Sequence, residues 1–192
     1  MNPELNRNVS TNMNPSSSPF MRLRGTLAVL LAAGLLAACG ANNGTDSSIL
    51  AVEIDRSTSC ALDGMLLADY PGPKAQIHYD GITQPDFFCD TVEMFSIYLN
   101  PEQARRVSAI YVQDMAKADW DNPKGHWIDA KTATYVHGSK RTGSMGPTIA
   151  SFASADDARK FAETEGGKVL RFDEVKPDMA ILDGGALHDK SM

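Results

Sequence analysis

The chain is poor in cysteine and in basic residues. It has three cysteines in 192 residues, and 24 aspartates and glutamates outnumber 18 lysines and arginines. The net charge of -6 and the lack of a basic cluster argue against a protein that binds nucleic acid. No apolar run reaches the length of a membrane-spanning helix. A phosphate-binding glycine loop, a Ser-His-Asp set and a pair of catalytic acids are missing as well, which argues against the common nucleotide-dependent and hydrolytic enzymes.

The amino-terminal part contains a pattern typical of export. Two arginines precede an apolar run over residues 26–38, which is too short to span a membrane but suits the core of a signal peptide. The run ends in Leu-Ala-Ala-Cys-Gly at residues 36–40, which resembles the lipobox of bacterial lipoproteins. The resemblance implies that residues 1–38 are a signal peptide and that Cys39 becomes the lipidated first residue. An ordinary signal peptide with a nearby cleavage site is the alternative.

The predicted anchor indicates where the protein resides. Residues 39–50 are mostly small and polar, so we expect a flexible tether between lipid and folded domain. A lipidated Cys39 would hold the protein to the periplasmic face of a bacterial membrane. Gly40, rather than aspartate, after the cysteine favours the outer membrane.

Only Cys60 and Cys89 remain for the folded part. Outside the cytoplasm two cysteines commonly form a disulfide, and this is the main competitor to any metal site. The sequence does not place the two residues within bridging distance, so both interpretations stay open.

The pattern of apolar residues predicts an α+β fold. Strand, loop, capped helix and strand occur twice, and we expect two small units with mostly antiparallel sheet that pack on one another, since each alone would have a thin core. The predicted strands are residues 75–79, 107–112, 127–130, 133–136, 148–152 and 168–172, and the predicted helices follow capping boxes at Asp90 and Ser154. The expected units are residues 51–115 and 116–178, followed by a polar tail over residues 179–192. A Gly/Ser loop is expected over residues 138–146.

Residues 59–65 (Ser-Cys-Ala-Leu-Asp-Gly-Met) combine a thiol and a thioether. Both are soft donors of the kind that select Cu(I). A turn at Asp63 and Gly64 could bring the sulfurs of Cys60 and Met65 to one ion. A buried thiol and a core methionine beside an ordinary Asp-Gly turn is the alternative.

Several segments together resemble the NosL family, the copper-binding accessory proteins of nitrous-oxide reductase. The resemblance rests on Cys-x-x-Asp-Gly-Met soon after the signal, and it covers about residues 54–175. The other matching segments are Tyr111 and Val112 with Asp114, residues 127–130, Tyr135 and Val136 with Gly138 and Ser139, Met145 and Gly146, and the helix end at residues 158–167. Many members carry a second cysteine at the position of Asp63, so a Cys-x-x-Cys pair is not available here.

The resemblance implies a membrane-anchored periplasmic protein that binds Cu(I) and is not an enzyme. It would pass copper to nitrous-oxide reductase or to the transport complex that assembles its copper sites. The family's fold is two ββαβ units, in agreement with the repeat in this chain. Its ligands carry over onto Cys60 and Met65.

Other residues are weaker candidates for copper ligands. Met115 and Met145 lie in predicted strand ends or loops, and His137 could supply a nitrogen donor. Asp63 is a turn residue rather than a ligand, because a hard carboxylate suits Cu(I) poorly. Cys89 could be a second ligand, a disulfide partner or a core thiol, and its position at a helix start favours a thiolate. We favour the core thiol.

Two other classes of function remain open at this point. One is a thiol-dependent envelope enzyme, since the family's fold is similar to part of organomercurial lyase, which works with two cysteines and an aspartate. No histidine lies near Cys60 in sequence to act as a general base. The other is an envelope binding module whose two cysteines form a disulfide.

Overall fold

A computed structural model describes residues 49–182 of the chain. The predicted signal peptide, the lipidated Cys39, nearly all of the tether and the end of the polar tail lie outside this range. Within it, no helix has the length and apolar character needed to cross a membrane.

The first sheet has four strands and one helix. Its strands are β1 (Ala75–Tyr79), β2 (Asp86–Phe88), β3 (Val107–Gln113) and β4 (Trp127–Asp129), in the spatial order β2-β1-β3-β4. Every neighbouring pair is antiparallel. Helix α1 (Thr91–Tyr98) connects β2 to β3.

The second sheet repeats the pattern. Its strands are β5 (Thr134–Gly143), β6 (Gly146–Phe152) and β7 (Lys168–Arg171), in the order β6-β5-β7, and both pairs are antiparallel. Helix α2 (Ala155–Glu165) connects β6 to β7. The α+β class and the two ββαβ units expected from the sequence are therefore confirmed. A short 3-10 turn at Leu67–Asp69 precedes β1, and two more, at Phe172–Glu174 and Pro177–Met179, follow β7.

Three local expectations differ from the structure. The segment at β4 pairs with β3, so it extends the first sheet although it lies beyond residue 116. Strand β2 was not predicted, since its residues were interpreted as the segment that leads into the helix. The expected loop over residues 138–146 is mostly strand: β5 runs to Gly143 and turns tightly into β6. Its outer half is polar and alternates between exposed and half-buried residues, so it gives no apolar signal.

One apolar core joins the two sheets. Phe95 of α1 meets Tyr135 of β5 edge to face, with ring centroids 5.1 Å apart. The same cluster includes Ile77 and Ile110 from the first sheet and Ile149 from the second. Each large side chain buried there contributes roughly 1.5–3 kcal/mol of hydrophobic free energy. The shared core explains how two units with little interior of their own form one fold.

The amino-terminal segment is fastened to the first sheet by a side chain. Val52 N–H donates to Gln76 Oε1 at 2.8 Å, and Gln76 Nε2 donates to Val52 O at 3.0 Å. The amide of Gln76, in the central strand β1, thus pairs with the backbone as a neighbouring strand would.

Candidate metal centre

A closed loop presents Cys60. Cys60 N–H donates to Met65 O at 2.8 Å, and Gly64 N–H donates to Cys60 O at 3.0 Å. Gly64 has φ 78°, a left-handed conformation that favours glycine. The exposed side chain of Asp63 accepts from Met65 N–H at 3.0 Å, as expected for a turn residue. The Asp-Gly turn therefore folds Met65 back onto Cys60.

The loop docks against the segment that carries the second cysteine. Ala61 N–H donates to Phe87 O in β2 at 2.7 Å. Cys89 follows β2 directly and precedes Asp90, the residue that caps helix α1. This hydrogen bond joins the segment of Cys60 to the segment that leads into Cys89.

Three polar side-chain atoms meet where these segments join. A sulfur of Cys60, a sulfur of Cys89 and a carboxylate oxygen of Glu93 lie within 4.8 Å of one another. Glu93 Oε2 lies 3.1 Å from Cys60 Sγ and accepts from Cys89 N–H at 2.9 Å. Within residues 49–182, this is the single group of three histidines, cysteines or acidic residues close enough to share a metal ion.

The group is shielded from solvent, and its cysteines are free. Cys60, Cys89 and Glu93 are 3%, 0% and 1% exposed. Neither cysteine is in a disulfide. Burial of two thiols and an acid together is costly unless each has a partner, so the arrangement points to a chemical role.

Glu93 does not complete the capping box predicted for α1. The side chain of Asp90 caps the helix by accepting from Val92 N–H at 2.9 Å, as expected. Glu93 should then have reached back to Asp90 N–H, but it reaches one residue further, to Cys89 N–H. Its carboxyl group is thereby placed against the Cys60 sulfur.

The three groups shift one another's protonation. A hydrogen bond from the Cys89 side chain lowers the pKa of the Cys60 thiol to about 6, although burial opposes a charged sulfur. The same contact and burial raise the pKa of Cys89. Burial, followed by the contact with Cys60, raises the pKa of Glu93 to about 9. At neutral pH the cluster therefore carries one negative charge, on Cys60.

A buried cation lies behind the cysteines. Lys74 is 0% exposed, and its Nζ donates to the carbonyl oxygens of Tyr70 at 2.8 Å, Pro71 at 3.0 Å and Cys89 at 2.9 Å. Burial lowers its pKa, while the neighbouring Asp90 and the thiols favour the charged form. The ammonium group thus lies against the backbone of Cys89 in the protein interior.

The second unit reaches the site through its first hairpin. Ser144, in the turn between β5 and β6, has its Oγ 3.5 Å from Glu93 Oε1. A Cβ atom on Gly143 would lie 1.8 Å from Asp90 Oδ2, so only glycine permits this approach. Thr148 Oγ1 donates to Asp90 Oδ1 at 2.6 Å and holds the hairpin base to the helix. Met145, 41% exposed, follows Ser144 in the turn.

The predicted ligands have different surroundings. Met65 is half-buried, and its backbone contacts both cysteines. Met145 is exposed and follows Ser144, whose hydroxyl approaches Glu93. Met115 is buried in a second, smaller core with Val136, Ala150, Phe152 and Ala158, as a gap-filling methionine would be. His137 lies within β5, paired with Ile149 and Lys168.

Sequence reasoning did not consider Glu93 as part of the site, and Cys89 is buried in the main core, as its favoured interpretation expects. That interpretation does not include the two reactive side chains beside Cys89, which are those of Cys60 and Glu93. One signal was available: the capping-box spacing of Asp90 and Glu93 turns the Glu93 side chain back toward the residues before the helix, where Cys89 lies. The two thiols, with Met65 in the same loop as Cys60, are donors suited to a soft metal ion, whereas the Glu93 carboxylate is not.

Comparison with known proteins gives one consistent family. The NosL family model matches residues 51–180. The copper-binding lipoprotein NosL of Stutzerimonas stutzeri is 40% identical over 169 residues, covering 85% of this chain and 87% of that protein. The copper-binding lipoprotein NosL of Achromobacter cycloclastes is 39% identical over 164 residues, or 83% of each. The crystal structure of the copper chaperone NosL from Shewanella denitrificans is 41% identical, with a TM-score of 0.65, and covers 67% of this chain and 97% of that one.

Proposed function

This chain belongs to the NosL family, and on that premise we propose that it is a Cu(I)-binding metallochaperone of the bacterial envelope. Its cargo would be delivered for the maturation of nitrous-oxide reductase, either to the enzyme itself or to the transport complex that assembles its copper sites. A lipid on Cys39 would hold the protein at the periplasmic face of a membrane, with the outer membrane favoured.

The observation that carries this proposal is the environment of Cys60. Its sulfur is buried, lies beside a second thiol and has a pKa of about 6, so it is mostly thiolate at neutral pH. The thiolate is the form that binds a metal ion, and Cu(I) would therefore bind without first having to displace a proton from this residue. Soft sulfur donors favour Cu(I) over ions that prefer nitrogen or oxygen.

Met65 is the proposed partner ligand in the same loop. The hydrogen bond between Cys60 N–H and Met65 O fixes the two backbones side by side, and the Met65 side chain is half-buried. A neutral thioether binds Cu(I) less tightly than a second thiolate, which suits a protein that must release its ion. Met145 is a further candidate, because its turn contacts Glu93 through Ser144.

The test is a competition titration against a chromophoric Cu(I) chelator under reducing conditions. We expect one Cu(I) per chain in the wild-type protein and a large loss of affinity in Cys60→Ser. Ser59→Ala is a matched control, since Ser59 is the exposed neighbour of Cys60 and should leave affinity unchanged. If folded Cys60→Ser binds Cu(I) as tightly as wild type, the site and this proposal are wrong.

A thiol-dependent enzyme is the second candidate, because two thiols and an acid do meet in the structure. The organomercurial lyase comparison gives a direct assay, in which phenylmercuric acetate is the probe and release of benzene is measured. We expect binding of the mercurial through sulfur without turnover. Repeated release of benzene that depends on Cys60 would favour the enzyme instead.

A further inference from the structure

We propose that Cys89 is a second copper ligand, so that Cu(I) is held between the sulfurs of Cys60 and Cys89 with Met65 as an additional donor. This inference rests on the proposed function and specifies its site. Cys89 lies between β2 and the capping residue of α1, whereas Cys60 and Met65 come from the loop before β1. The ion would therefore be bound across two segments rather than within one short motif.

The two sulfurs are close enough to share one ion. Metal–thiolate bonds are about 2.3 Å long for Zn²⁺, so two such bonds span roughly 4.6 Å when the ion lies between the sulfurs. The sulfurs of Cys60 and Cys89 lie within 4.8 Å of each other. Both could therefore reach one ion with little movement of the backbone.

The backbone of Met65 lies beside both cysteines. Its carbonyl oxygen accepts from Cys60 N–H at 2.8 Å and lies 3.7 Å from Cys89 Sγ. Because the Met65 backbone is this close to both cysteines, a change of rotamer could bring its sulfur to an ion bound there. Methionine has the flexibility to do this.

The buried lysine offsets the charge that two thiolates would add. Cu(I) bound by two thiolates has a net charge of -1, and such an anion is costly in the interior without a counter-charge. Lys74 Nζ donates to Cys89 O at 2.9 Å, and its charge interacts with both cysteines. The negative charge of Asp90 also favours the charged form of Lys74, so this cation balances charge near both the helix cap and the cysteine pair.

The experiment compares Cys89→Ser with Cys60→Ser and Met65→Leu in one competition titration. Loss of a supporting residue around a metal already costs about 10–100-fold in affinity, so we expect Cys89→Ser to lose at least about 100-fold. If Cys89→Ser stays folded and binds like wild type while Cys60→Ser does not bind, this inference fails and the proposed function stands. If neither substitution matters, both fail.

A measurement on the wild-type protein covers the case in which Cys89→Ser does not fold. Cu(I) is diamagnetic, so the ¹³C resonances of the two cysteine Cβ atoms can be followed as the ion is added. We expect both resonances to move together and to stop at one equivalent. A Cys89 resonance that stays in place while that of Cys60 moves would overturn the inference.

Discussion

Glu93 Oε2 lies 3.1 Å from Cys60 Sγ, and both side chains are almost completely removed from solvent. Thirty-three residues separate them in the chain. The contact joins the first helix to the loop before β1 and places an acid against the predicted copper ligand. Because burial raises the pKa of Glu93 to about 9, the acid is neutral at pH 7 and does not repel the thiolate.

Glu93→Gln tests whether the acid is a ligand or a neighbour. Glutamine has nearly the same shape as the protonated acid and keeps an oxygen that can accept from Cys89 N–H. Since oxygen donors suit Cu(I) poorly, we expect Cu(I) affinity at pH 7 to change by less than about tenfold, or roughly 1.4 kcal/mol. A loss as large as that of Cys60→Ser in the chelator titration would instead make Glu93 a ligand.

The methionines provide a second test, because the structure gives them different surroundings. Leucine conserves volume but lacks the sulfur, so we expect Met65→Leu to weaken Cu(I) binding, by less than Cys60→Ser does, with little change in stability. Met145→Leu should have a smaller effect of the same kind. Met115→Leu is the matched control: it lies in the second core and should leave affinity unchanged. If all three variants bind Cu(I) as tightly as wild type, none of these methionine sulfurs is a ligand.

The redox state of the two cysteines is the third prediction. Their sulfurs lie within 4.8 Å, so a disulfide is within reach of a small movement, yet a cysteine in a disulfide cannot supply a thiolate to copper. We expect both to be free in protein taken directly from the periplasm. Alkylation under denaturing conditions without reductant, followed by mass spectrometry, should label Cys60 and Cys89 fully. A stoichiometric Cys60–Cys89 bridge would contradict the chaperone mechanism.

Local patterns in the sequence were sufficient for much of the fold and for part of the site. The capped helices at Asp90 and Ser154 and the strand at Ala75–Tyr79 follow from spacing within a few residues. The pairing of β4 with β3 is non-local, and nothing in the sequence of Trp127–Asp129 indicates which strand it pairs with. The same holds for Cys60 and Cys89, because the contacts that join their segments, such as the hydrogen bond from Ala61 N–H to Phe87 O, are non-local.

The anchor gives a prediction that does not depend on the folded domain. A single acyl chain binds a membrane only weakly, whereas two or more chains hold a protein firmly. We therefore expect the wild-type protein to fractionate with membranes, and Cys39→Ser to become soluble or to accumulate as precursor. Immunoblots of membrane and periplasmic fractions measure this directly. Recovery of all wild-type protein in the soluble periplasmic fraction would show that the lipobox interpretation is wrong.

The last prediction concerns pH and the buried Asp90, which connects the helix to the hairpin. Burial raises its pKa to about 6 from the ordinary 3.8, although hydrogen bonds from Thr148 and Val92 act in the other direction. Between these two values the folded state holds a proton that the unfolded chain has released, so the free energy of unfolding falls as pH rises.

Asp90→Asn removes this ionisation while keeping an oxygen that accepts from Val92 and Thr148. A pKa difference of about 2 corresponds to roughly 3 kcal/mol. Relative to wild type, the variant should therefore gain about 3 kcal/mol between pH 4 and pH 7. Urea unfolding of both proteins across this range measures the difference. A difference that is the same at pH 4 and pH 7 would mean that Asp90 ionises equally easily in the folded and unfolded chains, in spite of its burial.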